Sequence, residues 1–394
     1  MGDLEFMQQA IACARSVEGR TSPRPPVGAV IVRDGVVVGR GATSPPYGPH
    51  AEIFALNAAG AAAAGADLYT TLEPCCIAVH TPPCTKAIIA AGIQRVIVGA
   101  LDPNPLVSGR GVAQLRDAGI SVITGVADQE TSPLIRPFAT YITQGRPYVT
   151  AKWAMTLDGK LATHTGDASW ISGPAARLWV HNLRDRVDAI MVGSGTANAD
   201  NPLLTVRLTE AQRFHERALR QDPLRVIIST QGQLDVHLNL LQERLAPGTC
   251  VIVGETCSPQ QREYLQQHGA EVVAVAVDET ARVDFAAALK TLAQKGIMHV
   301  LLEGGSRLLG SAFEHNLIDH VATFIAPKIV GGTEAPSPIG GAGLAVMQDA
   351  RRLQNVSTQI IDGDLLIEGD ITAPAEQTSI ENEILYAKTH SSAL

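Results

Sequence analysis

His50, Glu52, Cys75 and Cys84 are the residues of this 394-residue chain whose types and spacing carry the most chemistry. They occur in His50-Ala51-Glu52, in Thr71-Leu72-Glu73-Pro74-Cys75 and, nine residues after Cys75, in Pro82-Pro83-Cys84. One imidazole and two thiolates suit zinc and leave a fourth tetrahedral position for water. A carboxylate two residues from a ligand can carry protons for that water without binding the metal. Pro49 precedes His50 and Pro82-Pro83 precede Cys84, so each stands at an expected helix start, where exposed N–H groups favour thiolate. Cys76 and His80 are neighbouring alternatives as ligands. The six cysteines (13, 75, 76, 84, 250 and 257) make a poor disulfide framework, because three fall within ten residues. Metal binding in a reducing cytosol is the expectation.

A second set of motifs fills the other half of the chain. It comprises Lys152–Lys160, Trp170-Ile171-Ser172-Gly173, Val192–Thr196, Asp200–Arg207, Leu302–Ser306 and Ile325–Lys328 with Gly331-Gly332. No G-x-G-x-x-G follows an expected strand, so a Rossmann dinucleotide fold is not indicated. Glu303-Gly304-Gly305 lies between an apolar run and an expected helix, where bare backbone can approach a phosphate.

The elements that must position these residues are legible in the periodicity. Helical spacing over 3–18 is followed by the β runs Val27–Val32 and Val36–Gly41, and Asp34-Gly35 between them predicts a hairpin. Then come a helix from Pro49 to Ala64, a strand Leu68–Leu72, a helix Pro83–Ala91 and a strand Arg95–Ala100. A helix Gly111–Ala118 and a strand Ile120–Thr124 complete an α/β sandwich with a partly parallel sheet. Residues 125–147 lose periodicity and contain Pro133, Pro137, Gly145 and Pro147, which places a domain boundary there. The second unit opens with the strand Tyr148–Met155 and a helix Pro174–Arg186. Strands follow at Ala189–Gly193, Leu224–Ser229, Thr249–Val253, Glu271–Val277 and His299–Glu303, and paired runs at Val321–Ile329 and Val356–Ile371 close it. The expected units are 1–145, 146–373 and a polar tail 374–394.

Hydrophobic residues at 45% and charged residues at 18% describe a globular chain and exclude intrinsic disorder. Lysine and arginine number 31 against 39 acids, a net charge of −8 that argues against a nucleic-acid footprint. It leaves room for a small anionic substrate held by a few arginines. No run of 18 apolar residues suggests a membrane span, and the N-terminus lacks the pattern of a secretory signal; a cytoplasmic protein is expected.

His50-Ala51-Glu52, Thr-Leu-Glu-Pro-Cys75, Thr-Pro-Pro-Cys84, Asp102-Pro103-Asn104-Pro105 and Gly109-Arg110-Gly111 together resemble the bifunctional riboflavin-biosynthesis deaminase/reductase family. The second set of motifs resembles the reductase half of that family, in the family's order. The resemblance implies an N-terminal cytidine-deaminase-like α/β/α sandwich with zinc on His50, Cys75 and Cys84, and Glu52 as proton shuttle. It implies a C-terminal dihydrofolate-reductase-like α/β domain using NADPH.

In the reductase half the resemblance assigns Arg184, Leu204, Arg207, Glu303 and Ala168 to substrate, with Arg184 and Arg207 clamping its phosphate. It assigns Ala154, Trp170, Thr196, Asp200 and the run Gly305, Ser306, Arg307, Leu308, Leu309 and Gly310 to the cofactor. Lys152, Asp200 and Glu303 are the polar candidates around the reduced carbon. The implied chemistry is hydrolytic deamination of a phosphoribosylated pyrimidine, then NADPH reduction of its ribosyl chain. The alternative is a reductase with an altered or inactive deaminase domain. A homo-oligomer, dimer or larger, is expected.

The deaminase pocket departs from the family pattern. Pro23-Arg24-Pro25-Pro26-Val27-Gly28 stands where Pro-Asn-Pro-x-Val-Gly is usual, Thr43 replaces a histidine, and Cys76–His80 replaces Ser-His-x-Gly-Lys/Arg. Ala168 stands in place of a common serine. Arg24 is expected on the base or phosphate, and His80 on the phosphate or ribose.

Overall fold

The structure, a computed structural model, describes residues 2–78, 82–213 and 222–371. His80 and the expected tail 374–394 lie outside the described residues.

The first unit is built from α1 (Asp3–Arg15), β1 (Gly28–Arg33), β2 (Val36–Ala42), α2 (Ala51–Ala59), β3 (Asp67–Leu72), α3 (Cys84–Ala90), β4 (Arg95–Ala100), α4 (Arg110–Asp117), β5 (Ser121–Thr124) and α5 (Asp128–Gln144). The sheet order is β2-β1-β3-β4-β5. The β1–β2 hairpin turns at Asp34 and Gly35, both at positive φ, as the Asp-Gly pair predicts. β1 pairs antiparallel with β3, while β3, β4 and β5 run parallel. α2 docks so closely on β2 that a Cβ on Gly41 would lie 2.1 Å from the Ala51 carbonyl oxygen. That contact fixes the start of α2, where His50 and Glu52 sit. The helix ends at Ala59 and gives way to a 3₁₀ turn over Gly60–Ala63, short of the expected Ala64.

Residues 128–144 correct the sequence reading. The segment read as an aperiodic boundary is a 17-residue helix with Pro133 and Pro137 inside it. Burial of Leu134, Ile135 and Phe138 outweighs the two missing backbone donors. Gly145, at φ 66, terminates it.

The second unit contains β6 (Tyr148–Thr156), α6 (Pro174–Arg184), β7 (Ala189–Gly193), α7 (Ser194–Asp200), β8 (Leu224–Ile228), β9 (Thr249–Gly254), α8 (Pro259–Gln267), β10 (Glu271–Val275), α9 (Phe285–Gln294), β11 (His299–Leu302), α10 (Ser306–Glu314), β12 (His320–Ala326), β13 (Leu353–Ile361) and β14 (Asp364–Ile371). Its nine strands lie in the order β10-β9-β8-β7-β11-β6-β12-β14-β13. All pairings from β10 to β12 are parallel; β14 joins β12 and β13 antiparallel. The single run read over Val356–Ile371 is therefore two thirds of one strand and all of the next, folded at Asp362-Gly363, a second Asp-Gly turn.

Polar bonds tie the two units together. Arg20 Nη2 lies 2.6 Å from Asp185 Oδ1 with both side chains 2% exposed, and Ser22 Oγ donates to Asp188 at 2.6 Å.

Candidate active sites

The first site forms where three local geometries converge. His50 caps α2, Glu52 lies in its first turn, Cys84 opens α3, and Cys75 follows the end of β3. His50 Nδ1 lies 3.5 Å from Cys75 Sγ and 3.3 Å from Cys84 Sγ, and the Cys84 N–H points at Cys75 Sγ from 3.3 Å. A tetrahedral zinc with ordinary Zn–N and Zn–S arms separates such ligands by about 3.6 Å, so the donor set fits the metal. Electrostatics agree with the geometry. The Cys84 thiol and His50 hold Cys75 near pKa 4, while burial and the Cys75 charge push Glu52 up to about 7. The Cys84 thiol is driven upward beside Cys75. Two thiols and a carboxylate crowd one buried space, which a cation would relieve.

A cavity of about 290 Å³ opens onto these residues. Its polar wall carries Glu52, Glu73, Asp102 and Asn104, and its apolar wall Val27, Leu72, Ile77, Val107 and Phe138. The loop bearing Asp102 and Asn104 is organised by Glu73, which is 3% exposed. Its carboxylate accepts from the N–H groups of Asp102 (3.2 Å), Gly109 (2.9 Å) and Val112 (3.0 Å). Sequence reading left Asp102, Asn104 and Glu73 without roles, although their motifs were visible. Phe138 was hidden because α5 was not recognised. Arg24 lines the cavity, but its guanidinium is bonded to the 44–48 loop.

The second site is a cleft of about 720 Å³ beside the C-terminal ends of β6, β7 and β11. Lys152, Ala154, Ala168, Thr196, Asp200, Glu303, Gly305, Ser306, Arg307 and Leu308 all line it. A Cβ on Gly305 would lie 2.9 Å from Thr196 Oγ1, so a side chain there would displace the Thr196 hydroxyl. The uncapped start of α10, with Arg307 in its first turn, leaves N–H groups and a cation at the cleft, chemistry that suits an anionic group. Leu309 is placed differently: it is fully buried in the core, as the helical period requires within a contiguous run. Gly310 packs under Gly340, where a Cβ would meet the carbonyl oxygen at 2.4 Å. Trp170 stands outside the cleft lining, 68% exposed at φ 61, with Arg177 4.4 Å above its ring.

Arg184 and Glu303 meet in a bidentate pair, Nε to Oε1 at 2.7 Å and Nη2 to Oε2 at 2.8 Å, each 12% exposed. Burial favours protonation of Glu303, but the Arg184 charge and hydrogen bonds prevail and hold it near pKa 2. Burial pushes Lys152 down, opposed by the Glu303 charge. The third guanidinium nitrogen of Arg184 donates to the Thr205 carbonyl at 3.3 Å, and Arg207 Nη1 to Thr205 Oγ1 at 3.4 Å. Leu204, buried at φ 46, makes the turn that brings Thr205 between the two arginines. Arg184 is therefore committed to Glu303, while Arg207 is the exposed member of the expected clamp.

A three-ligand metal site with a buried carboxylate on one sheet, and a glycine-lined cleft on another, define a zinc deaminase joined to a reductase. Residues 2–100 match the model of the cytidine and deoxycytidylate deaminase zinc-binding region, and residues 147–367 that of the RibD C-terminal domain. The chain is 40% identical over 365 residues to riboflavin biosynthesis protein RibD of Aquifex aeolicus, covering 93% of this chain and 97% of that protein. It is 41% identical over 360 residues to RibD of Bacillus amyloliquefaciens, covering 91% and 94%. Among solved structures it is similar to Acinetobacter baumannii RibD (TM-score 0.81, 33% identity, 94% and 99% coverage). It is also similar to the diaminohydroxyphosphoribosylaminopyrimidine deaminase/5-amino-6-(5-phosphoribosylamino)uracil reductase of Thermotoga maritima (TM-score 0.77, 35% identity, 94% and 99% coverage). The chain belongs to the RibD family of bifunctional riboflavin-biosynthesis enzymes. The expected fold class, zinc-binding deaminase domain and reductase domain are borne out.

Proposed function

We propose that this chain deaminates 2,5-diamino-6-ribosylamino-4(3H)-pyrimidinone 5′-phosphate in residues 1–145 and reduces the resulting ribosyl compound in residues 146–373. The observation that carries the reading is the convergence of His50, Cys75 and Cys84, whose ligand atoms lie within 4.8 Å of one another, beside the buried Glu52. Zinc on those three ligands supplies the Lewis acidity that activates water. Glu52 takes a proton from the attacking water and gives it to the ring nitrogen, then takes the proton of the added hydroxyl and gives it to the amino group, which leaves as ammonia. Asp102 and Asn104 line the wall where the base edge would lie. The complete ligand set favours this reading over an inactive deaminase domain.

In the second site NADPH supplies hydride to C1′ of the ribose. Thr196, Asp200 and the Gly304–Leu308 backbone hold the cofactor. Glu303, kept ionised by Arg184, and Lys152 flank the reacting carbon, and Arg207 with Thr205 receives the phosphate. The chain acts as a cytoplasmic homo-oligomer, a reading supported by edge strand β13, which leaves Val356 (53%) and Ile360 (76%) exposed. Among the described residues no helix is long and apolar enough to cross a membrane.

Ammonia release measured without NADPH tests the first step, and NADPH oxidation after addition of the deaminated product tests the second. Both are expected from one preparation; absence of ammonia from zinc-loaded enzyme would refute the deaminase assignment.

A further inference from the structure

The loop from β2 to α2 reads Thr43-Ser44-Pro45-Pro46-Tyr47-Gly48-Pro49-His50. Its three prolines, Pro45, Pro46 and Pro49, fix three of its eight φ angles before anything binds, which lowers the entropy lost on recognition. Arg24 straps it from outside. Its Nη1 donates to the Gly48 carbonyl at 2.8 Å, and its Nη2 to the Ser44 carbonyl at 3.2 Å and to the Pro45 carbonyl. Ser44 Oγ closes the loop on the Pro49 carbonyl at 2.8 Å. A planar fork whose two terminal nitrogens donate to three carbonyls of one loop fixes that loop's shape, while its buried Nε has no partner among the described residues.

What the strap presents is Tyr47. It adopts φ 72, a left-handed conformation that side chains with a Cβ rarely take. Its side chain lines the metal cavity yet is 78% exposed, so core packing does not explain the strained backbone. Among the described residues, Tyr47 and Phe138 bring phenyl-type rings to that cavity's lining. The same cavity offers Glu52, Asp102 and Asn104 as hydrogen-bonding groups for a heterocycle's edge. Flat faces and a polar edge together are what a pyrimidine ring requires.

We propose that Tyr47 is a specificity-determining residue of the deaminase site, its ring stacking on the pyrimidine of the substrate. Arg24 is a positioning residue that acts through the Tyr47 loop and does not touch substrate. The proposal rests on the reading of this cavity as a pyrimidine-deaminase site.

The test is steady-state kinetics of the full-length, zinc-loaded enzyme, with reductase kinetics from the same preparations as internal control. Tyr47→Ala is expected to raise the deaminase KM roughly 5- to 150-fold, the range that base–aromatic stacking spans. Its kcat should change far less. Tyr47→Phe keeps the ring and should restore KM, whereas Tyr47→Gly relaxes the backbone but should match Tyr47→Ala. Arg24→Gln should raise KM in the wild-type background and add nothing in the Tyr47→Ala background, because the strap then holds no ring. Reductase KM should stay constant throughout. Unchanged deaminase KM in Tyr47→Ala, with wild type turning over, would overturn the stacking role. Additive effects of the two substitutions would overturn the positioning role and put Arg24 on the substrate. A wild-type chain that reduces but never deaminates would instead refute the underlying reading of the site.

Discussion

Replacing Glu73 with glutamine tests how the deaminase pocket is held. The native carboxylate accepts three backbone N–H bonds, two at Oε2 from Asp102 and Gly109 and one at Oε1 from Val112. An amide offers only one acceptor atom. In its best orientation the amide oxygen faces Asp102 and Gly109, and the amide NH₂ faces the Val112 N–H, donor against donor. The buried unpaired N–H costs about 1–3 kcal/mol, and the two surviving bonds lose their charge assistance. The sum is about 2–4 kcal/mol. That loss falls on the loop carrying Asp102, Asn104 and Val107, one wall of the 290 Å³ cavity. Urea denaturation should report the destabilisation, and deaminase kcat/KM should fall while reductase kcat/KM is retained. Glu73→Gln with unchanged stability and unchanged deamination would refute the reasoning.

Cys75→Ser and Cys84→Ser are each expected to lose zinc by elemental analysis, whereas Glu52→Gln should keep it and lose roughly 10²–10⁴-fold in deaminase turnover. Arg207→Ala should weaken the reductase for its phosphorylated substrate about 10–150-fold, the worth of one charged hydrogen bond, with deaminase KM unmoved. Burial, with the charges of Arg186 and His320, pushes His299 down to about 3. Its native form therefore stays neutral while the unfolded chain takes up a proton as pH falls below about 6.5. The stability it contributes is full above that pH and declines toward pH 3, by about 1–2 kcal/mol at pH 5. Urea midpoints at pH 7 and 5 should converge in His299→Gln; an identical pH dependence would remove His299 as the cause.

The His50, Cys75 and Cys84 cluster was legible because each residue announces itself in a short local motif, His50 and Cys84 at helix starts and Cys75 just after β3. The second cleft's lining was legible for a similar reason: its glycines mark where backbone comes close. What escaped were relations between distant residues. The Arg184–Glu303 pair joins side chains 119 positions apart, and a sequence shows two charges rather than their partnership. The side chain of Leu309 lies in the core, since a helical run cannot turn every side chain to one cleft. Prolines misled at α5, where buried Leu134, Ile135 and Phe138 sustain a helix that local rules would break. Arg24 was legible as a departure from the family pattern, but not its direction, which depends on the fold of the 44–48 loop.

The central claim is that one chain performs two successive reactions at two separate sites. The direct measurement is product analysis by mass spectrometry after incubation with 2,5-diamino-6-ribosylamino-4(3H)-pyrimidinone 5′-phosphate, first without and then with NADPH. The deaminated ribosyl compound should accumulate without NADPH and convert to the ribityl compound when NADPH is added. A ribityl product that retains the 2-amino group, formed with NADPH and without ammonia release, would contradict that claim.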